Sequence, residues 1–90
     1  MTTRELEERL RLEVARWSAK GYAELLQLRY PMAYDNGAVP ASPDFYETKV
    51  NLLERTAEHV HLIVSVSDGE ARAQHRLSDD FLAFASGRLE

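Results

Sequence analysis

The stretch HVHLIVSVSDG, residues 59–69, decides the fold of this chain. Its even-numbered positions from 60 to 66 are all valine or leucine, whereas the odd-numbered positions are mostly histidine or serine. A period of two is typical of a β-strand with one buried face. Asp68-Gly69 is typical of a two-residue hairpin turn. The stretch therefore predicts a strand over 59–67 that turns back into an antiparallel strand over 70–77.

The turn also predicts which residues of this hairpin share a face, because a slip of one residue would turn a whole strand over. It places Val66 opposite Ala71 and Leu62 opposite His75. The apolar residues of the first strand thereby gain small or apolar partners, with His75 as the exception. We therefore expect His75 to be a polar residue on the buried face of the sheet.

The segments on either side of the hairpin extend the sheet. Residues 45–55, FYETKVNLLER, alternate in the same way and predict a half-buried neighbouring strand. A connecting loop of three or of five residues keeps the same faces together, so the exact pairing stays open. Residues 78–88 fit either a short helix or a last edge strand, and we favour the strand.

A long amphipathic helix is predicted at the N-terminus. Thr2 and Glu5 fit a capping box, and the helix is expected to run from Thr3 to Lys20, with Gly21 as its C-terminal cap. One apolar stripe recurs at helical spacing, and it consists of Leu6, Leu10, Val14 and Trp17. The charged residues, Glu13 among them, are assigned to the solvent face.

The residues between the helix and the first clear strand are harder to interpret. Tyr22 to Tyr30 shows a period of two and is interpreted as a strand. Residues 31–44 contain all three prolines and an Asn-Gly pair, and they predict a long loop. Loops of this length are often functional or disordered.

These elements predict an α+β fold, in which one N-terminal helix packs on an antiparallel meander of four to five strands. The element order resembles the cystatin-like arrangement over nearly the whole chain. That resemblance implies a curved sheet wrapped around a single helix. Inhibitory cystatins carry a Gln-Val-Val-x-Gly-type loop that is not found in this sequence, so protease inhibition is not carried over. The larger NTF2-like relatives have a pocket closed by extra helices, which this chain lacks.

Composition narrows the function. Ninety residues correspond to one domain, 1–90, and a formal net charge of −4 argues against partners such as nucleic acid or anionic membranes. The chain has no cysteine, which favours the cytoplasm because small secreted domains usually need disulfides. No apolar run approaches the roughly 20 residues of a membrane-spanning helix. Residues 89–90, Leu-Glu, match a remnant of cloning and are given no role.

A metal site at His59 and His61 is not predicted. The two side chains share a strand face and lie roughly 7 Å apart along the strand, so they could supply two ligands. The third histidine, His75, points to the opposite face. We therefore predict no metal and no other cofactor, and catalytic residues are not assigned.

A space between helix and sheet is the better candidate for ligand binding. His75 would be its polar residue, and the side chains proposed to line it with His75 are Trp17, Tyr46 and Thr48. On the other face of the sheet, Phe45, Leu53 and Ile63 make the surface more apolar than solvent exposure requires. Such a face is typical of a homodimer interface.

Two hypotheses for function follow. The first is a non-catalytic domain that acts through contact with another protein or with a second copy of itself. The second is a small-ligand-binding or enzymatic domain with its pocket near His75. The sequence names neither a ligand nor a partner protein.

Overall fold

Two helices and four strands form the described part of the chain, which comprises residues 2–36, 45–67 and 76–85 of a computed structural model. The elements are α1 (Thr3–Ser18), α2 (Tyr22–Leu26), β1 (Met32–Asn36), β2 (Tyr46–Arg55), β3 (His59–Ser67) and β4 (Arg76–Phe84). All neighbouring strands are antiparallel, in the order β1-β2-β3-β4. The predicted α+β architecture, a helix followed by a four-stranded meander, is confirmed. Among the described helices, none is long and apolar enough to cross a membrane.

Helix α1 begins as the sequence predicts. The Glu5 amide donates to Thr2 Oγ1 at 3.1 Å, and the Thr2 amide donates to Glu5 Oε1 at 3.0 Å, which completes the capping box. The helix ends at Ser18, two residues before the predicted end. Leu6 and Trp17 are its buried anchors on the sheet.

The strand predicted over residues 22–30 is wrong, because α2 occupies Tyr22–Leu26. Gly21 is the N-cap of this second helix and does not cap α1. Apolar residues in this segment fit helical spacing as well as a period of two. Leu25, which is 1% exposed, decides between them because it packs into the core.

The loop predicted over residues 31–44 is wrong for its first part. After the cis peptide between Tyr30 and Pro31, β1 pairs with β2, with Tyr34 opposite Thr48. Half-buried and exposed residues alternate along β1, and the side chain of Tyr34 links the strand to α1. The remainder of that loop, 37–44, lies outside the described residues.

The pairing of β3 with its neighbours corrects the predicted registers. Val66 lies opposite Thr48 on β2, which resolves the pairing that the loop length left open, and a bulge follows between Leu52 and Glu54. On β4, Val66 lies opposite Leu77, six positions beyond the predicted partner Ala71. An even shift leaves the same side chains on the same face. The final segment is a strand through Phe84, as we favoured.

The hydrophobic core lies between the helices and one face of the sheet. Helix α1 packs against β3 and β4, and α2 packs against β3. The face of the sheet turned towards α1 is called the inner face, and the opposite face is called the outer face. The fully buried strand residues on the inner face include Val50, Val60, Leu62, Val64 and Val66.

Candidate functional site

Glu13 lies fully buried between α1 and the sheet, with 0% exposure. The sequence assigned it to the solvent face, and that assignment is wrong. Glu13 follows Leu6 by seven residues and precedes Trp17 by four, so it shares their face of the helix. A carboxylate in this position needs hydrogen-bond partners, because burying a charged group without them is strongly unfavourable.

Three hydroxyl groups from the sheet supply those partners. The Tyr34 hydroxyl donates to Glu13 Oε1, and Thr48 Oγ1 donates to the same oxygen at 3.4 Å. The Tyr46 hydroxyl donates to Glu13 Oε2 at 3.3 Å. Trp17 Nε1 donates to the Tyr34 hydroxyl oxygen at 2.9 Å. We call these five residues the polar cluster.

Three basic side chains lie close to the polar cluster, two from α1 and one from the residues that follow it. Arg16 Nη1 lies 3.5 Å from Glu13 Oε2. The Arg9 guanidinium carbon lies 5.7 Å from the centre of the Tyr46 ring, and Lys20 Nζ lies 5.4 Å from the centre of the Trp17 ring. These positions favour a negative charge at the centre of the cluster.

The tyrosines of the cluster are held in their neutral form. Burial raises the pKa of the Tyr34 hydroxyl, and its hydrogen bond to Glu13 raises that pKa further. Burial and the charge of Glu13 likewise raise the pKa of Tyr46. Both hydroxyls are therefore hydrogen-bond donors at neutral pH.

The polar cluster is internally satisfied. Among the described residues, every buried side-chain nitrogen or oxygen has a hydrogen-bond partner. Glu13 uses both oxygens, so the cluster fixes α1 on β1 and β2 through directed bonds in addition to apolar packing. A polar network of this kind, fully paired, specifies one arrangement of helix and sheet.

The structure brings together three of the four side chains predicted to bind a ligand. Trp17, Tyr46 and Thr48 all belong to the polar cluster, whereas His75 lies outside the described residues. Sequence reasoning missed Glu13 and Tyr34. The spacing of Glu13 from Leu6 and Trp17 was a usable signal, but Tyr34 stood in a segment that was interpreted as a loop.

The two described histidines each face a carboxylate of their own. His59 Nε2 lies 2.8 Å from Glu54 Oε1, and His61 Nε2 lies 2.5 Å from Asp80 Oδ2. Within the ranges that the structure describes, no three potential ligands are grouped to hold a metal ion. These pairs link β3 to β2 and to β4 on the outer face.

The three residues predicted to form an interface differ in exposure. Phe45 is buried at 6% exposure, Ile63 is half-buried and Leu53 is 52% exposed. Ile63 lies in a shallow depression of about 400 Å³. Its lining consists of Pro31, Met32, Ala33, Lys49, Val50, Asn51, Ile63 and Ser65.

A second depression runs along the flank of α1 beside β4, and we call it the α1–β4 groove. Its volume is about 420 Å³, and it is lined by Glu7, Leu10, Arg11, Val14, Ala15 and Asp79. Leu10 and Val14 are only half-buried. This flank of the helix therefore retains apolar surface in contact with solvent.

Comparison with known proteins adds no relative. No protein-family model, curated protein or solved structure matches the chain.

Proposed function

We propose that this protein is a non-catalytic domain that acts through protein–protein contact, by pairing with a second copy of itself across the outer face of the sheet. The observation that carries the proposal is the apolar depression at Ile63 with Leu53 exposed nearby on β2. Apolar surface gathered on one sheet face is characteristic of interaction sites. The cystatin-like assignment and a cytoplasmic location are part of the same proposal, supported by element order and by the absence of cysteine.

The size of the outer face supports a dimer. Strands spaced about 4.8 Å apart, with β2 to β4 extending about 30 Å and the shorter β1 about 17 Å, give a face on the order of 500 Å² in projection. A side-chain-covered face has a larger accessible area than its projection. A standard interface buries about 800 Å² on each partner, so this face is of the required order.

The polar cluster supports the non-catalytic part of the proposal. Both oxygens of Glu13 accept hydrogen bonds from side chains of this chain. A general base needs a free position within hydrogen-bond reach of its substrate. Glu13 is better suited to holding α1 in place.

Sedimentation velocity of the wild type and of Leu53→Lys tests self-association. Full burial of a leucine contributes about 1.5–3 kcal/mol, so we expect Leu53→Lys to weaken the dimer by about tenfold or more. Leu12→Lys is the matched control, because Leu12 is 56% exposed but lies on α1. A wild type that stays monomeric at its highest soluble concentration would refute the proposal, as would equal weakening by both substitutions.

A further inference from the structure

Strand β4 forms one edge of the described sheet. From residue 76 to residue 84 it pairs with β3, and no other described strand lies on its second side. Every second residue of an antiparallel edge strand directs its amide and carbonyl away from the sheet. Such an edge is a template for a further strand.

The α1–β4 groove lies beside this edge on the inner side of the sheet. A strand added to β4 would point every second side chain towards the groove. Leu10 and Val14, which are half-buried, and Ala15, which is exposed, would then contact those side chains. The groove therefore favours apolar residues at alternate positions of an incoming strand.

The charge at the edge indicates which kind of strand would bind there. Asp79 lies opposite Val64 on the inner side, is exposed, lines the groove and takes part in none of the described ion pairs. One of its oxygens accepts a hydrogen bond from the Asp80 amide at 2.9 Å, and the residue remains exposed to solvent. A basic residue facing Asp79 would be stabilised as a cross-strand pair of opposite charge.

The same charge disfavours a second copy at this edge. Asp79 and Asp80 stand in the middle of β4, so antiparallel pairing of β4 with β4 places acidic residues of both copies close together. Like charges across strands are destabilising, and natural edge strands use them to prevent self-pairing.

We propose that the β4 edge and the α1–β4 groove bind an extended segment of another protein by strand addition, with a basic side chain at Asp79 and apolar side chains two residues to either side. Main-chain hydrogen bonds to β4 supply affinity, and the groove and Asp79 supply specificity. This surface is separate from the outer face, so the inference does not depend on self-association.

The test uses the full chain labelled with ¹⁵N and ¹³C and a defined probe, the acetylated and amidated peptide Thr-Val-Thr-Lys-Thr-Val. We expect shifts in the amides of residues 77–83 and in the methyl groups of Leu10 and Val14. Replacing the lysine of the peptide by glutamate is expected to weaken binding by about tenfold.

A matched pair of protein variants tests the role of Asp79. Asp79→Asn is expected to remove the preference for the lysine peptide, whereas Asp35→Asn, an exposed aspartate on β1 at the opposite edge, should keep it. The absence of shifts, shifts confined to β1 or the outer face, or equal binding of the two peptides to the wild type would each overturn the proposal.

Discussion

Glu13 is held in a buried position by three hydroxyl donors and one guanidinium. Removing one donor leaves part of a buried charge without a partner, which is more damaging than losing a hydrogen bond between neutral groups. A side chain that donates to Glu13 is therefore expected to contribute more to stability than one that donates to a neutral group.

Tyr34→Phe is expected to lower the free energy of unfolding by about 1.5–3 kcal/mol, since it removes a hydrogen bond to a charged group. It also leaves Trp17 Nε1 without its acceptor. Tyr22→Phe is the control, because the Tyr22 hydroxyl donates to the neutral carbonyl of Thr56 and its loss should cost about 0.5–1.5 kcal/mol. Urea denaturation measures both, and an equal or larger loss in Tyr22→Phe would contradict the role given to Tyr34.

The tyrosines also predict a loss of stability at alkaline pH. The pKa values of Tyr34 and Tyr46 are raised in the folded protein, so the unfolded chain releases these protons first. Their contribution is fully present below about pH 10, the ordinary tyrosine pKa, and is lost as the pH rises through the raised values.

Denaturation at a series of pH values measures this dependence. We expect the fall above about pH 10 to be shallower in Tyr34→Phe. Tyr30, whose pKa is raised by burial alone, contributes to the fall in stability in both proteins. An identical slope in wild type and variant would show that Tyr34 does not carry the effect.

At the scale of elements, α1 depends on its first turn. Thr2 and Glu5 satisfy each other's amides, and these bonds lower the pKa of the exposed Glu5 carboxyl. Thr2→Ala is expected to destabilise the protein by about 1 kcal/mol, because it removes the N-cap acceptor. Thermal unfolding followed by circular dichroism measures the change. Thr2→Ser keeps the hydroxyl and should unfold close to the wild-type temperature; a loss equal to that of Thr2→Ala would argue against the cap.

The elements with one clear period were predictable from the sequence. In α1, β2 and β3 the apolar residues recur with a single period, so only one type of secondary structure places them on one buried face. Residues 22–26 fit the period of a helix as well as that of a strand, and the helix is favoured because it buries Leu25. β1 is short and follows Pro31, and Tyr34 ties it to α1 through a side-chain contact, which local sequence does not reveal.

The polar cluster was predictable in part for the same reason. Tyr46 and Thr48 lie on a strand face that alternation identifies, and Trp17 lies on the helix stripe that covers it. Glu13 also lies on that stripe, but a charged residue there is exposed more often than buried. Its burial depends on hydroxyl donors from two strands, and one of those strands was not predicted.

At the scale of the whole molecule, the helices do not cover the sheet evenly. α1 packs against β3 and β4, whereas the polar cluster bridges from α1 to β1 and β2. β1 spans five residues and is hydrogen-bonded to β2. We therefore expect β1 to open more readily than the centre of the sheet.

Hydrogen exchange followed by NMR tests this order of opening. Amides of β1 should exchange before those of β3, which has strand partners on both sides. Tyr34→Phe should accelerate β1 more than β3, since it releases the side-chain link to α1. Uniform acceleration of all four strands would mean that the sheet opens as one unit and that the link is not local.

The position of Trp17 gives the molecule a built-in optical reporter. It is the single tryptophan of the chain, and its ring centre lies 6.4 Å from that of Tyr34 across the boundary between helix and sheet. Light absorbed by Tyr34 can pass to the indole at this distance, and separation of the helix from the sheet would interrupt the transfer and expose the indole to water. The docking of α1 during folding can therefore be timed by stopped-flow fluorescence without any attached dye.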